Sequence, residues 1–108
     1  DAVEIDKECE TNFRENLHLN NIKDQIQFHH EDVLNWNRFN FDLILVNINR
    51  NVIEELLPKI NSTNGKVILS GLLKTDFNSI ENICNNFGLK VADTSAKGEW
   101  ISLILSWR

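Results

Sequence analysis

The sequence predicts an α/β domain with a mostly parallel sheet and an antiparallel C-terminal strand. Short apolar runs alternate with helix-patterned segments along the 108 residues, and this order is typical of a parallel sheet covered by helices. Residues 42–47 are a continuous apolar run bracketed by Asp42 and Asn47, and a run without alternation predicts a strand buried on both faces. The last two runs, 89–93 and 100–107, are joined by a short turn, so they are expected to pair antiparallel.

The first third of the chain predicts a strand, a helix and a strand. Residues 2–6 alternate apolar and acidic side chains and predict a strand that ends at Asp6, which is placed to cap the helix that follows at about 7–20. Residues 25–30 alternate again and predict the second strand. The helix is expected to bury one face, made of Cys9, Phe13 and Leu17.

The remainder predicts two more helices between strands. One helix begins near Asn49, and residues 66–70 predict the buried strand after it. Gly88 is expected to stop the next helix, whose apolar face carries Phe77, Ile80, Ile83, Cys84 and Phe87. No repeat or linker interrupts the pattern, so residues 1–108 are expected to form one domain.

Composition narrows the class of protein. The formal net charge is −5. The sequence contains no cluster of Lys and Arg, so nothing in it indicates a surface that binds nucleic acid directly. Residues 1–33 carry nine acidic against three basic side chains, which suits a solvated helix surface or a basic partner. No apolar run has membrane-spanning length. Cys9 and Cys84 are interpreted as buried free thiols of a reducing, cytoplasmic compartment.

Glycine is the scarce residue. The chain has four glycines, and none precedes Gly65. A glycine-rich loop that binds a phosphate or a cofactor is therefore excluded from the first sixty-four positions.

Polar side chains stand at the carboxyl ends of the predicted strands, where open α/β sheets bind ligands. A carboxylate at the end of a strand can accept hydrogen bonds from both hydroxyls of a ribose, and a later strand end offers an acceptor for an adenine amino group. The carboxamide of Asn47 both accepts and donates. Capping explains the same residues: Glu4 or Asp6 for the first helix, Asp32 for the turn at Val33, and Asn47 or Asn49 for the second helix.

Four segments resemble one known family. Residues 46–51 resemble its N-I-x-x-N segment, residues 65–72 its G-x-x-I-L-S-G-I/L strand, and residues 98–101 its E-W-x signature. Residues 3–6, with Arg14-Glu15-Asn16 and Asn20 in the next helix, are similar to its V-D-I-D…R-E-N…N pattern. The segments follow the same order over essentially the whole chain. This family is the bacterial ribosomal protein L-eleven methyltransferases (PrmA family).

The resemblance implies a Rossmann-like, class I methyltransferase sheet and S-adenosylmethionine as cofactor. It also implies a reaction, methyl transfer to amino groups of a ribosomal protein. Glu4 would bind the ribose, although the family more often has Asp there. Asn47 would contact the cofactor and lie beside the target amine, as the catalytic residue. The implied cofactor-binding residues are Glu4, Ile5, Asp32, Val33 and Asn47.

Such chemistry asks little of the protein. The sulfonium is an activated leaving group and a neutral amine is a nucleophile, so the enzyme must align them and exclude water. An Asn carbonyl that accepts from the amine fits this task, and the sequence identifies no general base.

The chain departs from the family at its start. The family's first strand and glycine-rich loop are expected to lie before Asp1, and that strand would lie between residues 2–5 and 42–46. The chain is therefore expected to be the C-terminal part of a catalytic domain and inactive alone. Its open sheet edges are expected to invite self-association.

Two alternatives remain at this point. One keeps the fold and changes the substrate to another protein or to RNA; the other is a non-enzymatic α/β interaction module. A metal site at His29-His30 is disfavoured because adjacent strand residues face opposite sides. The tryptophans at positions 36, 100 and 107 are expected to cover the sheet.

Overall fold

The computed structural model describes residues 1–22, 25–60 and 65–107. Its elements follow the predicted order, β-α-β and then β-α-β-α-β-β. The strands are β1 (Ala2–Glu4), β2 (Phe28–His30), β3 (Leu43–Asn47), β4 (Lys66–Leu73), β5 (Leu89–Lys97) and β6 (Trp100–Trp107). The helices are α1 (Cys9–Leu19), α2 (Arg50–Leu56) and α3 (Phe77–Asn86). The chain forms two compact units, residues 1–36 and 37–108.

The first unit is a small β-α-β arrangement. Strands β1 and β2 are parallel, with Ala2 opposite Phe28 and Glu4 opposite His30. Helix α1 packs through Phe13, whose ring centroid lies 5.1 Å from that of Phe28. Parallel pairing brings the carboxyl ends of both strands to one edge of the unit.

The predicted buried face of α1 is only partly covered. Phe13 and Leu17 are half-buried, whereas Cys9 is exposed, so the prediction of a buried thiol is wrong at Cys9. A turn occupies the two residues before the helix, so the helix begins at Cys9 itself. At this first position Cys9 does not share the packing that Phe13 makes against Phe28. Local desolvation and the carboxylates of Asp6 and Glu4 raise the pKa of the Cys9 thiol.

The second unit is built on a four-stranded sheet in the order β3-β4-β6-β5. Strand β4 is parallel to β3, and β6 runs antiparallel to both β4 and β5. This confirms the predicted mostly parallel sheet with an antiparallel C-terminal strand. The buried side chains of this unit come from α2, α3 and the strands, and include Ile53, Leu56, Val67, Leu69, Ile80, Cys84, Leu103 and Leu105.

Strand β3 differs from the prediction. Its exposure alternates: Val46 is buried, whereas Leu43 is 50% and Leu45 71% exposed. The prediction that this strand is buried on both faces is therefore wrong within the described residues. An apolar run without alternation cannot distinguish one covered face from two, because both faces carry apolar side chains.

Smaller differences concern the ends of elements. Phe87 was expected on the buried face of α3 but is 47% exposed, because the helix ends at Asn86 and Phe87 follows it. Strand β5 continues beyond the predicted residue 93 to Lys97. Residues 94–97 are exposed and show no apolar alternation, so the sequence pattern did not indicate them. Pairing with β6 holds them in the strand. Within the described residues, no helix is long and apolar enough to cross a membrane.

Candidate active site

Two sets of predicted site residues lie at strand ends, one in each compact unit. In the first unit, the backbone N–H of Glu31 donates to the carbonyl of Glu4 over 3.1 Å. An imidazole nitrogen of His30, Nε2, lies 2.9 Å from the carbonyl oxygen of Ile5. These bonds tie the residues after β1 to the residues after β2, so Glu4, Ile5 and the loop at 31–33 share one edge.

The Glu4 carboxylate is oriented by the chain that follows it. Its Oε1 atom accepts from the backbone N–H of Asp6 over 3.0 Å, and Oδ1 of Asp6 accepts from the N–H of Glu8 over 2.9 Å. Neither carboxylate accepts from an N–H inside α1. Glu4 and Asp6 instead stabilise two successive turns before the helix, which differs from the capping alternative. Ile5 stands beside Glu4 and is 63% exposed.

Asp32 does cap a turn. Its Oδ1 accepts from the backbone N–H of Leu34 over 3.0 Å, at the start of a single 3₁₀ turn, Val33–Asn35. Asp32 and Val33 are both half-buried. This hydrogen bond holds Oδ1 of Asp32 in the turn and does not involve Oδ2, the other carboxylate oxygen.

Asn49 caps α2 and Asn47 does not, a choice that the sequence left open. Oδ1 of Asn49 accepts from the backbone N–H of Val52 over 3.1 Å and caps α2. The cap is therefore supplied by Asn49, two residues beyond Asn47. Asn47 ends β3, opposite Ser70 in the register, and is exposed. Its carboxamide is accordingly available at the carboxyl end of the strand.

Gly71 makes the position of that carboxamide possible. Gly71 has a φ of +76°, and a Cβ atom there would lie 2.5 Å from Oδ1 of Asn47. Glycine suits the left-handed backbone, and any larger residue would displace the end of the exposed Asn47 side chain. The sequence placed Ser70-Gly71 at this edge, but the contact between Gly71 and Asn47 was not predicted. A glycine next to a strand end opposite an Asn is the signal that could have indicated it.

The His29-His30 pair is divided between two partners. His29 Nε2 lies 2.7 Å from Oδ1 of Asp1, and the His29 ring packs against Trp36 with centroids 4.7 Å apart, whereas His30 contacts the backbone at Ile5. Among residues 1–22, 25–60 and 65–107, no three His, Cys, Asp or Glu side chains are grouped so as to hold a metal ion.

The fold is that of Rossmann-like methyltransferases. A putative methyltransferase from Thermoplasma acidophilum superposes with a TM-score of 0.79 over 98% of this chain and 56% of its own, at 10% identity, a likeness of fold alone. The ribosomal protein L11 methylase of Lactobacillus delbrueckii subsp. bulgaricus superposes with a TM-score of 0.92 at 31% identity. That match covers 99% of this chain and 56% of the solved chain.

The sequence comparison identifies the family. The family model for ribosomal protein L11 methyltransferase (PrmA) matches residues 1–107, and the chain belongs to this family. The L11 methyltransferase of Prochlorococcus marinus (strain MIT 9515) is 36% identical over 87% of this chain, and that of Lactobacillus johnsonii is 33% identical over 97%. The matched regions are 33% and 34% of those two proteins, so the chain spans about a third of the length of these relatives.

Proposed function

We propose that this chain is part of a cytoplasmic enzyme that transfers methyl groups from S-adenosylmethionine to amino groups of ribosomal protein L11. Its membership of the family supports the reaction and the substrate. The observation that carries the proposal is the Asn47 carboxamide, exposed at the carboxyl end of β3 and seated against Gly71. A residue that only capped α2 would not need this position, because Asn49 supplies the cap.

The chemistry of the strand ends in the first unit fits the cofactor. The Glu4 carboxylate uses Oε1 for the N–H of Asp6, and its other oxygen suits ribose hydroxyls, which donate to carboxylates. The exposed side chain of Ile5 offers an apolar surface of the kind an adenine ring packs on. Asp32 and Val33 would lie near the adenine amino group and ring edge. When bound, S-adenosylmethionine supplies a methyl group on a positively charged sulfur.

Asn47 is proposed to act on the nucleophile. A carboxamide has one oxygen acceptor and two N–H donors, so it can accept a hydrogen bond from the incoming amine and orient the nitrogen lone pair. Holding a nucleophile in an attack geometry lowers the barrier by removing orientational freedom before the reaction. No general base is proposed, since a neutral amine needs none to attack.

A methylation assay with a matched pair of variants tests the proposal. The protein is expressed from its complete reading frame and incubated with S-adenosylmethionine that carries a labelled methyl group, with purified ribosomal protein L11 and, separately, with ribosomal RNA. Asn47→Ala is expected to lower kcat/KM by roughly 100-fold, the scale of one lost transition-state contact. Asn78→Ala, which replaces an exposed Asn in the first turn of α3, is the control and should keep wild-type activity.

The outcomes separate the alternatives. Label in L11 at amino nitrogens, located by mass spectrometry, supports the proposal. Label in RNA would indicate the related methyltransferase with another substrate, and no label in either would favour an interaction module. The 108-residue chain by itself is expected not to bind S-adenosylmethionine tightly as a monomer, which titration calorimetry measures.

A further inference from the structure

An open depression of about 180 Å³ lies on the sheet of the second unit. It is formed where β4, β6 and β5 lie side by side, and its lining includes Ser70, Gly71, Ser95, Lys97, Trp100 and Ser102. Most of these side chains are small, so the floor is shallow and carries hydroxyl groups. The predicted and proposed roles of Glu4, Ile5, Asp32, Val33 and Asn47 do not use it.

The strand register explains why these side chains share one face. Ser95 is opposite Ser102 and Lys97 is opposite Trp100 in the antiparallel β5–β6 pair. Residues directly opposite each other, and residues two apart on one strand, point to the same face. The two serine hydroxyls, the indole and the ammonium therefore stand together.

Trp100 is unusually placed for a tryptophan. The expectation that the tryptophans cover the sheet holds for Trp36, which is 8% exposed, but is wrong for Trp100, which is 58% exposed. Large exposed aromatic side chains are enriched where proteins bind partners, since they bury much area at little cost in side-chain entropy. The indole is thus a surface available for binding.

The depression is continuous with the proposed reaction site. Gly71 lines the depression, and a Cβ on the same residue would lie 2.5 Å from Oδ1 of Asn47. A chain segment lying in the depression would therefore come close to Asn47. Hydroxyls of Ser95 and Ser102 could bond its peptide groups, and Trp100 could cover its apolar parts.

We infer that this depression binds the polypeptide segment of the protein substrate that flanks the amine to be methylated, with Trp100 as its principal contact. The inference rests on the proposed function, since it places the segment next to Asn47. It adds a substrate-binding residue to a site so far described by its cofactor and amine contacts. A polypeptide suits the depression because its lining combines hydroxyl groups for backbone atoms with an apolar wall.

Steady-state kinetics of Trp100 variants test the inference in the protein expressed from its complete reading frame, with ribosomal protein L11 as the probe. Trp100→Ala is expected to raise KM for L11 roughly tenfold, as truncation of a central interface tryptophan commonly does. KM for S-adenosylmethionine should stay within about twofold, because Trp100 is not among the residues proposed to bind the cofactor. Trp100→Phe should recover most of the loss, since an aromatic ring is kept.

Phe87→Ala provides the control, since Phe87 is also an exposed aromatic residue, 47% exposed, and does not line the depression. An unchanged KM for L11 in an active Trp100→Ala variant would overturn the inference while leaving the proposed function intact. So would an equal rise of KM for S-adenosylmethionine. A wild-type protein without methyl transfer to L11 would instead contradict the proposed function itself.

Discussion

Gly71 and Gly98 have similar backbone conformations in very different surroundings. Their φ angles are +76° and +60°, both in the left-handed region that side chains rarely adopt. A Cβ on Gly71 would lie 2.5 Å from Oδ1 of Asn47, whereas nothing lies within 4 Å of a Cβ on Gly98. The pair therefore separates the cost of backbone strain from the cost of displacing the Asn47 carboxamide.

Alanine at each position makes this separation measurable. Gly98→Ala is expected to lower the free energy of unfolding by about 1 kcal/mol through backbone strain alone. Gly71→Ala should cost a similar amount of stability, because the end of the exposed Asn47 side chain can rotate away, but it should also lower kcat, because the carboxamide must move. Urea unfolding and the methylation assay give the two quantities. An unchanged kcat in Gly71→Ala would show that Gly71 does not position Asn47.

The residues of the candidate site were predictable to different degrees. The sequence placed Glu4, Asp32 and Asn47 at strand ends because strand ends follow from apolar patterning. Capping was harder to assign, since Asn47 and Asn49 are both Asn near a helix start. Only the φ and ψ values of the chain decide which one faces the N–H of Val52, and the structure assigns this role to Asn49.

Helix α2 depends strongly on its cap. It has seven residues, Arg50–Leu56, and short helices gain little stability from their own hydrogen bonds. The side chain of Asn49 satisfies the N–H of Val52, and the buried Ile53 and Leu56 anchor the helix to the core. The position of α2 directly after Asn47 couples this stability to the candidate site.

Removal of the cap should destabilise the protein modestly. Asn49→Ala is expected to lower the free energy of unfolding by about 1 kcal/mol, the usual cost of a lost Asn cap. Asn51→Ala is the matched control within the helix, where alanine favours helix formation. Chemical denaturation of both variants provides the comparison. A loss in Asn51→Ala as large as that in Asn49→Ala would contradict the capping role.

At the scale of the strands, patterning failed where burial is one-sided. Residues 43–46 are all apolar, so the sequence offered no alternation from which to tell the covered face. The prediction of β5 was too short for the opposite reason. The exposed half of this strand has no apolar pattern and is held by backbone hydrogen bonds to β6. Both errors arise because burial is decided by neighbours that are distant in sequence.

For the whole molecule, the exposed face of β3 has consequences in solution. Leu45 is 71% and Leu43 50% exposed, and among the described strands β3 pairs with β4 alone. An unpaired strand edge next to exposed leucines favours association between chains. The 108-residue chain is therefore expected to self-associate as its concentration rises.

A charge on this face should reduce the association. Leu45→Lys places a charged side chain beside the strand edge, a common device against edge-to-edge pairing. Sedimentation velocity across a range of concentrations is expected to show a shift toward monomer for Leu45→Lys. Phe87→Lys, which charges an exposed apolar side chain at the end of α3, should associate as the wild type does. The same shift in both variants would indicate a general charge effect.

The sequence by itself determined the α/β class, the order of elements, the antiparallel last strand and the residues at the strand ends. These features follow from local patterns, namely apolar periodicity, turn residues and short connections. Tertiary structure alone decided which face of β3 is covered, the contact between Gly71 and Asn47, and the grouping of Ser95, Ser102, Lys97 and Trp100. Each of these depends on which distant segments become neighbours, and a linear pattern records the periodicity of a segment without recording its partners.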